Sequence, residues 1–88
     1  MITIQRMNDT TFKVTVNEAT TTTHTVTVTP SYYKKLTGNR AKPEELVRRS
    51  FEFLLERESN TSILSAFDLS VISQYFPEYE KTIQGILE

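Results

Sequence analysis

In three runs between Ile2 and Thr29 apolar residues alternate with polar ones, and at Pro30 that alternation stops. Ile2 and Ile4, then Phe12, Val14 and Val16, then Val26 and Val28 share one parity; Thr3, Gln5, Lys13, Thr15, Thr25, Thr27 and Thr29 hold the other. A period of two is strand grammar, because successive side chains of a strand point to opposite faces. Asn8-Asp9 and Asn17-Glu18-Ala19 supply turns between the runs. Residues 1–29 are therefore expected to form a three-stranded antiparallel meander with one apolar and one threonine-rich face. Threonine is β-branched, so the run from Thr20 to Thr25 reads as a bend followed by the entry to a strand. His24 shares parity with Val26 and Val28 and is expected on the apolar side, hydrogen-bonded at the margin of the core.

Proline cannot donate to a ladder but can open a helix, so the period changes at Pro30. Ser31 to Leu36 predict a short helix ended by Thr37-Gly38-Asn39. Pro43 opens the main helix, Glu44 and Glu45 suit its positive end, and it is expected to run to about Glu58. Leu46, Val47, Ser50, Phe51, Phe53, Leu54 and Leu55 fall on an arc of roughly 200°, too wide for one packing partner. The sheet should cover one side, and the C-terminal helices or a second subunit the other. Beyond Ser59-Asn60-Thr61-Ser62 the pattern predicts a short helix from Ile63 to Phe67. A further turn or two over Leu69 to Phe76, capped by Asp68, should follow. A last helix then starts at Pro77, with Tyr79, Ile83, Ile86 and Leu87 on one side. The fold class is thus α+β, an N-terminal meander followed by a main helix and short C-terminal helices. One domain spans residues 1–88, divided into 1–29, 30–58 and 59–88.

Several chemistries are closed to this composition. The chain has no cysteine, which excludes disulfides, thiolate catalysis and cysteine-based metal sites. Two glycines, Gly38 and Gly85, cannot build GxGxxG or a P-loop. His24 is the single histidine and has no HExxH-type spacing around it, and no carboxylate lies in a motif that predicts a raised pKa. No catalytic residue, metal or cofactor is expected. The start MITIQRMND lacks the pattern of a secretory signal, and no stretch approaches the roughly 20 apolar residues of a membrane span, so a cytoplasmic location without a membrane partner is expected.

A formal net charge of -1 gives no global pull towards nucleic acid, but its distribution is uneven. Residues 34–49 carry Lys34, Lys35, Arg40, Lys42, Arg48 and Arg49 against only Glu44 and Glu45; from residue 50 onward acidic groups dominate. Glu44 precedes Arg48, and Glu45 precedes Arg49, by four residues, the favourable order for ion pairs on a solvated helix face. The candidate contacts to nucleic acid or to a protein partner are therefore Lys34, Lys35, Arg40 and Lys42, with Tyr32 and Tyr33 beside them for stacking. In SYYKKL one tyrosine is expected under the sheet and the other in water.

The order HTVTVT, SYYKKL, PEELVRRSF resembles the ribbon-helix-helix DNA-binding proteins over roughly residues 24–57. That resemblance implies a dimer whose strand would turn Thr25, Thr27 and Thr29 towards bases. From about His24 to Glu80 the chain is also similar to small prokaryotic proteins of uncharacterised function. They carry a strand like HTVTV, a helix like EELVRRSFEFLLERE and a tail like SILSAFDLSVISQYFPEYE, and the likeness implies no activity and no functional residue. The expected function is non-catalytic binding or regulation through protein–protein contacts, with a homodimer among the assemblies. The alternative is a nucleic-acid-binding regulator of ribbon-helix-helix or antitoxin-like type.

Overall fold

A computed structural model describes residues 1–87, and the protein is α+β. Strands β1 (Ile2–Arg6), β2 (Thr11–Asn17) and β3 (Thr21–Thr27) form the antiparallel meander. The first turn is held by Asn8, whose Oδ1 accepts from the backbone N–H of Thr10 (3.0 Å) and Thr11 (2.9 Å). The register sets Ile2 against Val16, Ile4 against Val14, and Phe12 against Val26, so the apolar parity does form one face. Phe12, Val14, Val16, Val26 and Val28 are buried there, and His24 with them.

A fourth strand, β4 (Ala66–Asp68), pairs parallel to β3 and sets Val26 against Phe67. This corrects the helix expected over Ile63 to Phe67. Only Asn60–Ser62 winds, as a 3-10 turn, and Ile63 is already extended. A lone helical turn gives little for the backbone it fixes, whereas the open edge of β3 offers unpaired groups; the Thr25 N–H donates to Ser65 O at 2.8 Å. Asp68 caps the next 3-10 turn (Leu69–Val71) as its sequence suggests, accepting from Ser70 N–H at 3.0 Å.

Between β3 and β4 lie α1 (Pro30–Thr37) and α2 (Pro43–Leu55). Thr29 Oγ1 caps α1 by accepting from the Tyr32 N–H at 3.3 Å, and the helix ends at Gly38, whose φ of 59° favours glycine. Helix α2 stops three residues short of the expected Glu58. The amides of Arg57 and Glu58 both converge on Leu54 O at 2.9 Å, and the Arg57 guanidinium takes Phe53 O at 3.0 Å. That cation also lies 3.6 Å from the Phe53 ring centre and 3.3 Å from Glu78, tying the end of α2 to the C-terminal segment.

The wide arc of α2 is covered on both sides within one chain. Leu46, Val47, Phe51, Phe53 and Leu54 are buried between the sheet and α3 (Ile72–Tyr75) with α4 (Tyr79–Ile86). Phe53 meets Phe76 and Tyr79 edge-on at 5.8 and 5.2 Å. Helix α4 begins at Tyr79, two residues past Pro77. Tyr79 and Ile83 are buried and Leu87 is half-buried, but Ile86 is exposed, against expectation.

One polar contact crosses this core. Ser50 Oγ donates to Leu46 O at 2.7 Å, so the fully buried Tyr79 hydroxyl donates to Ser50 Oγ, 2.6 Å away. Burial pushes the Tyr79 phenol far above its ordinary range. Ser50→Ala should cost about 1–3 kcal/mol, because it strands a buried hydroxyl. Adding Tyr79→Phe to it should cost less than the sum of the single changes, as urea unfolding of the three variants will measure.

Candidate functional site

The structure disperses the residues read as contacts. The Tyr32 hydroxyl donates to Glu80 Oε2 at 2.8 Å, and Lys35 Nζ lies 3.2 Å from Glu80 Oε1 and 5.8 Å from the Tyr32 ring centre. The Tyr33 hydroxyl donates to the Ala41 carbonyl. Both tyrosines are half-buried with their hydroxyls engaged, which corrects the division into one under the sheet and one in water. Arg40 turns back so that Nε donates to Thr37 O at 3.4 Å. Lys34 and Lys42 are exposed and make no ion pair among the described residues.

The two helix arginines divide. Arg49 lies 2.7 Å from Glu45 and 3.2 Å from Glu52, the solvated arrangement expected. Arg48 does not take Glu44; its Nη1 donates to Ile2 O at 2.9 Å, clamping α2 to β1. The threonine strand is also differently placed from a ribbon-helix-helix reader. Over Thr25–Thr27 β3 is flanked by β2 and β4, and Thr29 caps α1, so that segment has no open edge for a dimer mate.

A different feature brings apolar side chains to the surface. A groove of about 210 Å³ runs between the segment after α2 and α3. Its floor is the buried Leu54, Ile63 and Ile72, with Phe67, Val71 and Phe76 half-buried around it. Leu64 (47 % exposed) and Tyr75 (67 % exposed) stand on its rim beside half-buried Glu58. The volume is below the roughly 300 Å³ at which small-molecule sites begin, and suits one large apolar side chain.

Buried polar contacts fix that rim. Leu64 O can only accept, so His24 Nδ1 carries the proton it donates over 2.7 Å. His24 Nε2 lies 2.9 Å from Thr22 Oγ1, and Asn60 Nδ2 donates to the same oxygen at 2.9 Å and to Thr20 O at 2.7 Å. These bonds fasten residues 60–64 to the β2–β3 hairpin. With the backbone pinned and extended, the adjacent Ile63 and Leu64 face opposite ways, one inward and one to solvent. The helix expected from Ile63 to Phe67 concealed the groove; the adjacent pairs Ile63-Leu64 and Tyr75-Phe76 were the available signal.

Among the described residues no group of three or more acidic or histidine side chains could hold a metal, and no helix is long and apolar enough to cross a membrane. Compared with family models, curated proteins and solved structures, the chain matches none.

The Tyr32 hydrogen bond, assisted by Lys35, holds the Glu80 carboxyl below the usual carboxylate range despite partial burial. A depressed carboxylate stabilises the fold above its unfolded pKa, and that stability is lost as pH falls through its folded value. The stability gap between wild type and Glu80→Gln should therefore be widest at neutral pH and close below about pH 4, which denaturation across pH will follow. For the rim, His24→Leu should cost about 1–3 kcal/mol by leaving Leu64 O unpaired, and should speed amide exchange across residues 60–66.

Proposed function

We propose that this chain is a non-catalytic interaction protein whose groove receives an apolar side chain from a protein partner. The observation that carries this reading is the pair of exposed side chains, Leu64 and Tyr75, standing over a buried apolar floor. An exposed leucine on a mobile loop would mean little; this one belongs to a backbone held by His24 and paired through Ser65 to β3. A preordered rim loses less freedom on binding, and tyrosine beside a desolvated pocket is a common anchor of protein interfaces. Glu58 at the edge, in the acidic half of the chain, favours a partner segment with lysine or arginine next to its apolar anchor.

The nucleic-acid reading draws less support. Lys35 is engaged by Glu80, and the hydroxyls of both tyrosines are occupied. Lys34, Arg40 and Lys42 remain exposed at the end of α1 and in the loop after it.

Selection from a displayed library of linear peptides distinguishes the two. Enriched peptides should pair an aromatic or aliphatic anchor with a basic residue. Their affinity should fall about 30-fold in Leu64→Asp and Tyr75→Ala, and hold when Lys34, Lys35, Arg40 and Lys42 are changed together to alanine. No enrichment, with salt-sensitive binding to a random duplex that is lost in the fourfold variant, would replace the proposal with a nucleic-acid-binding regulator.

A further inference from the structure

Strand β1 lies at the edge of the sheet, and its unpaired groups can be assigned. Met1 and Asn17 exchange both backbone bonds, at 3.0 and 2.8 Å, and Met7 N–H donates to Thr11 O at 2.8 Å. In an antiparallel ladder bonded pairs alternate with unbonded ones, so the odd residues of β1 bond β2. The N–H and C=O groups of Ile2, Ile4 and Arg6 therefore point outward. Of these, Ile2 O receives Arg48 and keeps its second lone pair. No proline or bulge blunts this edge, and Ile2 and Ile4 remain half-buried, their apolar side unfinished.

We infer that β1 pairs antiparallel with β1 of a second copy about a two-fold axis at Ile4, joining two four-stranded sheets edge to edge. The edge is self-complementary in this register. Ile4 faces the partner's Ile4 and exchanges both backbone bonds with it; Ile2 faces the partner's Arg6. Residues directly opposite share a face, so the partner's Arg6 lies on the α2 side, beside Ile2. A shallow hollow lies there, lined by Met1, Ile2 and Leu55 with Glu18, Glu52, Glu56 and Arg48; its three carboxylates form exposed ion pairs, Glu18 with the Met1 ammonium at 3.6 Å, Glu52 with Arg49 at 3.2 Å and Glu56 with Arg57 at 3.3 Å. In one copy Arg6 is exposed, donates to the carbonyls of Asn8 and Asp9 at 3.2 and 3.1 Å and lies 5.5 Å from the Phe12 ring centre, contacts that it exchanges for the partner's carboxylates. The two-fold self-complementarity of the edge, which places Arg6 beside these exposed carboxylates, selects a second copy over an arbitrary strand. The contact is short, and the dimer is weak and reversible, forming in the micromolar to submillimolar range.

Sedimentation equilibrium over that range, with amide hydrogen exchange at high and low concentration, tests the inference. The expected result is a dimer mass at high concentration, with the amides of Ile2, Ile4 and Arg6 slowed only there. Arg6→Glu should raise the dissociation constant about tenfold or more, and Arg6→Glu with Glu52→Arg should recover part of that loss. Ile4→Pro, which removes an outward N–H and no intramolecular ladder bond, should give monomers with unchanged circular dichroism; should it unfold, the exchange data and Arg6→Glu decide alone. Leu64→Asp, which alters the groove, should leave the dimer intact. A monomer mass at every concentration, or a dimer in which those three amides exchange as fast as in dilute protein, overturns it.

Discussion

A helix that is apolar over more than half its circumference cannot rest on a single surface, and α2 sets that requirement for the whole chain. Phe51 packs on His24 and Phe67 of the sheet, while Phe53 needs Phe76 and Tyr79 on the other side. The rest of the architecture answers this demand. The meander supplies the first cover. The C-terminal segment folds as turns, the strand β4 and two short helices that bring Ile72, Phe76, Tyr79 and Ile83 across. Burial of large side chains contributes most of the stability here, at roughly 1.5–3 kcal/mol each. The Ser50–Tyr79 bond adds direction, because it holds the buried hydroxyl at the start of α4 against α2.

The same demand explains why a hydrophobic groove is left open. A short segment that must both cover α2 and return to pair with β3 cannot turn every apolar residue inward. Ile63 is spent on the core and Leu64 faces solvent; Phe76 packs on Phe53 while Tyr75 stands clear. What makes the exposed residues a surface is the buried polar chain from Asn60 through Thr22 to His24, which fixes the backbone beneath Leu64. A histidine in the core is here a fastener between a hairpin and a loop 40 residues away.

Where the sequence was legible, the signal was local. The meander and its inward face followed from period two, the threonine-rich side included. Pro30, Gly38 and Pro43 punctuated the helices at or within a residue of their observed ends, and the cap at Asp68 fell where it was read. The burial of His24 followed from parity alone. Where the sequence misled, a non-local partner outcompeted a local one. Arg48 had a glutamate one turn away and took a backbone carbonyl 46 residues distant instead. Tyr32 and Lys35, read as free to meet a ligand, converge on Glu80.

The sequence by itself therefore determined the class of fold, the inward faces of three strands and one helix, and the absence of cysteine chemistry. Those properties are periodicities and compositions, complete within a few residues. The fourth strand, the groove with its Leu64 and Tyr75 rim, and the assignment of the basic side chains were decided only by tertiary structure. A three-residue strand has too few residues to display a period, and its pairing energy resides in the open edge of β3. Likewise a cation chooses among carboxylates, carbonyls and water according to which stand within reach, and reach is set by packing.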